Sequence, residues 1–298
     1  MTDLYKNCTL CPRNCGINRN KQKGYCRTSD QLIVARAALH MWEEPCISGD
    51  EGSGTVFFGG CSLRCIYCQN KEIRDGNTGK EITTKRLAEI FLELQDKKAN
   101  NINLVTPTHY VPHIIDALDI AKNNGLNIPI VYNTSGYEKP ETIELLKDYV
   151  DIFLTDFKYM HSQTAKEYSN APDYAEYAKK SLDKMAKATG DAVFDKRGIM
   201  QKGVIVRHLL LPDHLEASKE IVSYLYKTYK NKVFISLMNQ YTPMPQVANH
   251  PILSQKATEE EYNQLVDFAI DLGVENGFIQ EGETATESFI PPFDNEGV

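Results

Sequence analysis

Three cysteines, Cys61, Cys65 and Cys68, stand in CSLRCIYCQN directly after the apolar run GTVFFGG. A [4Fe–4S] cube has four irons and takes thiolate ligands, so a loop that supplies three leaves one iron open to a small molecule. Open iron implies reaction chemistry. Zinc or inert core thiols are the alternative, but structural zinc is closed by four protein ligands, and no fourth Cys or His lies near this loop. Val56 to Phe58 read as a short strand, Gly59 and Gly60 let the backbone turn tightly into the loop, and Tyr67 gives the loop a flat aromatic side.

A second set, Cys8, Cys11, Cys15 and Cys26, lies in CTLCPRNCGINRNKQKGYC. Its gaps let four thiolates close one tetrahedral site, and zinc and a second iron–sulfur cluster both take four cysteines. Such a saturated site is structural or an electron relay. All eight cysteines fall within the first 68 residues, and clustering without a secretion signal favours metal ligands over disulfides. Cys46, in WEEPCISGDEGSG, is left over as a buried thiol, a substitute ligand or a participant in radical chemistry.

These residues need a scaffold. Apolar β-like runs at 54–59, 102–106, 128–133, 151–157, 203–210 and 232–238 alternate with amphipathic helical patterns near 84–98, 111–124, 139–149, 173–188, 215–230 and 257–272. Alternating units of this kind form a parallel sheet with right-handed crossovers. Six of them predict an α/β fold, an open, partial (β/α)6 barrel, and Gly277 to Ile279 offer a seventh strand. Active groups of such barrels sit at the C-terminal ends of the strands, where the cysteine loop falls. The expected organisation is a cysteine-rich extension over 1–50, the partial barrel over 51–285 and a tail over 286–298.

Other strand ends carry polar residues. In VDIFLTDFKY, the two-residue period puts Asp156 and Lys158 on one face, as a ligand site, an ion pair or an exposed end. Asn133, Thr134 and Ser135, followed by Gly136, suit ribose hydroxyls and equally an ordinary loop. Arg207 and His208 point to opposite faces, so one of them looks into the barrel. Pro107 fixes the turn after the second strand, where Thr106, Thr108 and nearby carbonyls can accept hydrogen bonds. His109 and His113, four apart, could face one substrate or serve as solvated or capping groups. Asn239, Gln240 and Tyr241 could line a pocket, and residues 161–190 read as a solvated helical region.

The trio with an aromatic just before its last cysteine resembles the signature of the radical SAM superfamily. By that resemblance, S-adenosylmethionine chelates the open iron through its amino and carboxylate groups, and one electron breaks a sulfur–carbon bond to give a 5′-deoxyadenosyl radical. The D-x-K of Asp156 and Lys158 resembles that of the activating enzymes of glycyl radical enzymes. It implies that Lys158 meets the cofactor carboxylate while Asp156 orients it or helps to hold a cation. Arg207 would face the same carboxylate, leaving His208 to the helical layer. Two departures stand out: Asn133 replaces an aspartate, and Thr106 with its neighbours replaces a glycine-rich segment. Taken along the chain, the CxxCPRxC head, WEEP, CxxxCxxC and D-x-K resemble a branch related to pyruvate formate-lyase activating enzyme, without the ferredoxin-like insert. The resemblance implies a flavodoxin- or ferredoxin-type electron donor, an anaerobic setting, and a glycyl radical enzyme, a peptide or a small molecule as substrate. From another class, an electron carrier or metal scaffold fits the cysteines too.

Composition narrows the partners. Thirty-three basic and 40 acidic residues give a net charge of −7 with no long basic block, so nucleic acid is not expected. No stretch approaches the roughly 18 apolar residues of a membrane span, and MTDLYKNC lacks a signal-peptide core; a cytoplasmic protein away from membranes is expected.

Overall fold

The computed structural model describes residues 2–280 and 291–298. Ten strands form the sheet: β1 (Leu32–His40), β2 (Ser53–Phe58), β3 (Lys80–Ile82), β4 (Ile102–Val105), β5 (Ile130–Thr134), β6 (Ile152–Asp156), β7 (Val193–Phe194), β8 (Met200–Leu209), β9 (Phe234–Met238) and β10 (Gly277–Ile279). Their order is β10-β9-β8-β6-β5-β4-β2-β1-β3, with β7 paired to β8 as a short hairpin. From β2 to β10 the neighbours along this path run parallel, and the two end strands, β3 and β10, do not pair with each other. The barrel is therefore open, and Gly277–Ile279 is its seventh parallel strand.

The helices are α1 (Pro45–Ser48), α2 (Lys71–Arg74), α3 (Thr84–Asp96), α4 (Val111–Asn123), α5 (Pro140–Leu146), α6 (Ser162–Ser169), α7 (Tyr174–Thr189), α8 (Leu215–Tyr229) and α9 (Glu259–Leu272). The longer ones fall where the helical periodicity puts them. Thr83 caps α3 by accepting from the Arg86 amide, and Thr258 with Glu261 forms a reciprocal capping box on α9. Strands β2, β4 and β5 are buried along their whole length because helices cover one face and the barrel interior the other.

Two edge elements extend this sheet, and the first was not expected. Strand β1 pairs antiparallel with both β2 and β3, so residues 32–40, grouped with the extension on sequence grounds, belong to the main sheet. Its ARAA stretch favours helix locally, and the free edge of β2 overrides that preference. The described tail residues 291–298 then lie along β1: the Asn295 amide donates to the Ala35 carbonyl at 3.1 Å, and the Ala37 amide to the Glu296 carbonyl at 2.8 Å. Arg36 pairs there with Asp294 and Glu296. Residues 286–290 of the expected tail lie outside the described residues.

Because β1 runs against β2, it delivers the chain to the N-terminal side of the parallel strands. There WEEP and α1 turn into the barrel, and Cys46 and Ile47 pack against Val131, Ile152, Leu154, Met200 and Ile205. Cys46 is thus a floor residue, and burial pushes its thiol up to about 12.

Candidate functional site

The cysteine loop leaves the C-terminal end of β2 and is pinned along its length. The Gly59 amide donates to the Ile33 carbonyl and the Gly60 amide to the Ile73 carbonyl. Arg74 donates to the Cys65 carbonyl at 2.7 Å, and Gln246 to the Cys68 carbonyl at 3.0 Å. Gly60 has φ +87, and a Cβ there would stand 2.4 Å from Thr28 Cγ2 and 2.6 Å from the Cys26 carbonyl oxygen, so glycine is required twice over. Burial pushes the Cys61 and Cys68 thiols up to about 11 and about 12. Thiolates in such a place need a cationic metal partner to be stable. The Arg64 amide already donates to the Cys61 sulfur at 3.5 Å.

Inside the barrel the strand ends converge on one guanidinium. Arg207 donates from Nε to Asp156 Oδ1 at 3.1 Å, from Nη1 to Glu43 Oε2 at 3.1 Å and from Nη2 to Asn133 Oδ1 at 2.6 Å. The register explains the meeting, since Asp156 stands beside Arg207 on paired strands and shares its face. Lys158 Nζ lies 2.7 Å from Asp156 Oδ2 and is the ammonium facing the cysteine loop. Burial works against charge on both members of this pair. The Lys158 and Arg207 cations nonetheless hold Asp156 below the usual carboxylate range, and Asp156 holds Lys158 above the usual ammonium range.

Glu43 and Glu44 are the residues that sequence reasoning missed. WEEP carries no signal of its own beyond two carboxylates next to a proline, yet Glu43 accepts from Asn103 at 2.9 Å, from Asn133 at 3.3 Å and from Arg207. Burial raises both carboxyls, and Glu44 Oε2 has no hydrogen-bond partner.

The other sequence candidates separate. Thr106 ends β4 with φ +58, a left-handed conformation unusual for a β-branched residue, so it makes the turn that glycine makes elsewhere. Thr134 lies on the face opposite Asn133 and donates, with Thr108, to buried Glu138. Ser135 and Asp156 offer their carbonyls to the Tyr174 hydroxyl, which in turn accepts from the Lys158 amide. Tyr174 thus ties β5 to β6, and Gly136 beneath it leaves only 2.1 Å between a hypothetical Cβ and the Asp156 carbonyl oxygen. Residues 161–190 are accordingly no plain solvated surface: Tyr168 and Tyr174 are fully inside, because α6 and α7 lie over the strand ends.

Tyr67 packs edge-on between Tyr168 and Tyr241 and accepts from the Tyr159 hydroxyl at 2.8 Å. Tyr241 is buried and donates to the Leu253 carbonyl, so it packs the core instead of lining a pocket. Asn239 is fixed through its amide to Gln280, and the Gln240 carbonyl accepts from Gln69. The two histidines do not face one substrate. His109 donates to the Gly59 carbonyl at 2.8 Å, and burial lowers it to about 3, so it is neutral; His113 bridges Thr84 and the Asp30 carbonyl. His208 faces the helical layer and donates to the Phe157 carbonyl. A cleft of about 480 Å³ lined by Cys46, Phe194, Phe234 and Phe278 opens at the opposite end of the strands, away from these groups.

The N-terminal cysteines form a lobe against the loop. Cys8, Cys11 and Cys26 are buried and Cys15 half-buried. A Cβ on Gly24 would stand 3.3 Å from the Cys26 sulfur and 3.7 Å from the Cys15 sulfur, so both face one small space. Among the described residues no three His, Cys, Asp or Glu side chains close on a single ion-sized position. Arg13 of CPR staples the lobe to the loop, donating to the carbonyls of Ser62 (2.9 Å), Leu63 (3.0 Å), Ser169 (2.7 Å) and Asn170. Arg19 is fully buried, with its guanidinium on the His109 and Ser29 carbonyls and Thr28 Oγ1. Among the described residues no carboxylate pairs with it; its ionisable neighbours are Cys26, Tyr5, Cys8 and Tyr110.

The profile described as the radical SAM superfamily matches residues 55–225. An uncharacterised protein of Methanocaldococcus jannaschii is 30% identical over 277 residues, which cover 90% of this chain and 75% of that one. The pyruvate formate-lyase-activating enzyme of Clostridium pasteurianum is 29% identical over 185 residues, 59% of this chain and 68% of that one. Among solved structures, Streptococcus suis SuiB bound to S-adenosylmethionine aligns with TM-score 0.49 and 14% identity over 76% of this chain, which spans about half (49%) of SuiB. A match over more than half of the chain, beginning on the strand that leads into Cys61, Cys65 and Cys68, makes this protein a member of the radical SAM superfamily.

Proposed function

We propose that this protein reductively cleaves S-adenosylmethionine at a [4Fe–4S] cluster held by Cys61, Cys65 and Cys68, and uses the radical to abstract a hydrogen atom. The donor set fits: three sulfurs come from one pinned loop, and an ammonium stands beside them with no fourth protein ligand on that loop. When bound, the cluster supplies one electron to the sulfonium and leaves methionine and a 5′-deoxyadenosyl radical, which becomes 5′-deoxyadenosine on taking the hydrogen.

The chain's own part is positioning. Lys158, held by Asp156 and with donor capacity to spare, meets the cofactor carboxylate. Arg207 already donates to three side chains, so its role is to fix Asp156 and Asn133 in place under the cofactor. The Thr106 carbonyl, turned by the left-handed backbone, accepts from the cofactor amino group. Ser135 and Asn133 flank the ribose, and Tyr67, clamped between two tyrosines, walls the loop. Burial of these groups excludes water from the radical. The observation that carries the reading is the meeting of the Asp156–Lys158 pair with the cysteine loop at the same end of the barrel.

Anaerobic reconstitution followed by dithionite and S-adenosylmethionine should give 5′-deoxyadenosine and methionine, and Cys65→Ala should give neither. A wild-type protein with a full cluster and no product is a carrier or scaffold, and the proposal fails. For the substrate, likeness to the clostridial activating enzyme favours a glycyl radical enzyme. A glycine-centred radical detected by electron paramagnetic resonance on adding such a partner supports this; silence with each one tried points to a peptide or small molecule. The four N-terminal cysteines, by this proposal, hold a metal centre of their own.

A further inference from the structure

We infer that Glu43 and Glu44 make the barrel lumen a recognition site for a primary ammonium group on an aliphatic stem, so that the substrate is an amine, either a free alkylamine or a lysine side chain. The inference names the substrate class of the function proposed above. It rests on that reading for the hydrogen abstraction, though not for the binding.

Charge comes first. Among the described residues, three carboxylates and two cations act on one another in this lumen: Glu43, Glu44 and Asp156 against Lys158 and Arg207. Lys158 matches Asp156 at 2.7 Å, and Arg207 donates to Asp156, Glu43 and Asn133. None of those bonds goes to Glu44. His40 supplies no third cation, because burial and the Arg36 and Arg207 charges lower it. Glu44 is only 9% exposed, and its Oε2 has no partner. A buried carboxylate in that state is unfavourable until a cation joins it. What the lumen lacks is one positive charge.

A second open acceptor belongs to the same group of side chains. Asn103 is fully buried, donates from Nδ2 to Glu43 Oε1 at 2.9 Å and leaves its Oδ1 without a partner. Both open atoms accept, so the missing group is a donor as well as a cation. An ammonium suits separate single oxygens, whereas a guanidinium is matched to a carboxylate that presents both of its oxygens.

The walls give the rest of the ligand. The charged layer rests on an apolar floor of Val131, Ile152, Leu154 and Ile205. Toward the mouth, Val105 follows Asn103 on the same face of β4 and packs with Phe57 and Phe293. That apolar wall suits methylene groups. Asp156, Lys158 and Arg207 keep 15 to 18% side-chain exposure, so the lumen opens at the cysteine-loop end. An amine entering nitrogen first places its stem carbons between the two glutamates and the cysteine loop, where a hydrogen can be taken.

Simple probes test the site on the iron-loaded full chain. Anaerobic isothermal titration, with S-adenosylmethionine present and no reductant, should show n-pentylammonium binding at least about tenfold more tightly than 1-pentanol or pentanoate. Equal affinity for amine and alcohol identifies Glu44 as a protonated group that needs no counter-charge, and overturns the inference. Glu44→Gln should weaken n-pentylammonium by at least about tenfold and leave 1-pentanol where it was; an unchanged amine affinity also overturns it. Should that variant fail to fold, the wild-type comparison of amine with alcohol still decides. The capped tripeptide acetyl-Gly-Lys-Gly-amide separates the sources: binding tighter than that of n-pentylammonium supports a lysine side chain, and weaker binding supports a free amine. A loaded protein that binds amines yet cleaves no S-adenosylmethionine overturns the proposed function and leaves the ammonium site standing.

Discussion

Glu138 offers a stability test that a contact list alone would not suggest. Its carboxyl is fully buried behind β4 and β5, accepts from Thr108 and Thr134 through Oε1, and leaves Oε2 without a partner. Burial pushes it from the ordinary 4.5 up to about 7, against the lowering effect of the Thr108, Thr134 and Tyr132 hydroxyls. Its folded pKa is raised, so the native state holds a proton that the unfolded chain has released between pH 4.5 and about 7. Stability therefore falls as pH rises through that window, at about 1.4 kcal/mol per pH unit. The accumulated penalty is about 1 kcal/mol at pH 5 and about 3 kcal/mol at pH 8. Glu138→Gln keeps the shape and the acceptor oxygen but cannot ionise. It should be more stable than wild type by about 3 kcal/mol at pH 8 and by about 1 kcal/mol at pH 5. Anaerobic guanidinium unfolding of the metal-loaded proteins at the two pH values reads this as a midpoint shift at equal slope. A gap that does not change with pH, or a Gln variant less stable at pH 8, would refute the reasoning.

Three further outcomes follow from the geometry. Glu43→Ala should destabilise by about 3 kcal/mol, because it leaves Arg207 with one counter-charge fewer, and clearly more than Glu44→Ala, whose carboxylate has an unpartnered oxygen; equal losses in thermal unfolding would contradict the assigned pairing. Gly136→Ala meets both φ +77 and the Asp156 carbonyl, and should cost at least about 3 kcal/mol or prevent folding, as circular dichroism would show. Thr106→Asn, which tolerates the left-handed backbone better, should gain about 1 kcal/mol without changing the KM for S-adenosylmethionine, since only the carbonyl of Thr106 is assigned a role; a loss of stability would count against the strain.

The barrel strands and the long helices were legible because their periodicities are local. The two-residue alternation in VDIFLTDFKY was enough to put Asp156 and Lys158 together, and they lie 2.7 Å apart. Strand β1 was not legible, since ARAA favours helix until the edge of β2 is present to pair with. The i,i+4 spacing of His109 and His113 suggested a shared face, but His109 precedes α4 in a short 3-10 turn, so the two rings diverge to separate carbonyls. Tyr168 and Tyr174 looked like surface residues because their helices are rich in Lys and Glu on the other face.

By itself, the sequence determined the family and the order of elements: cysteine spacing, a strand-end D-x-K pair and a βα alternation are set by residue types a few positions apart. Tertiary structure alone decided which distant groups share an environment. Glu43 reaches Arg207 from the far end of the barrel, and Cys26 reaches Cys61 across 34 intervening residues, because β1 reverses the chain and Arg13 clamps the lobe to the loop. Electrostatic pairing and hydrogen bonding act through space, and the fold, not the order of residues, sets that distance.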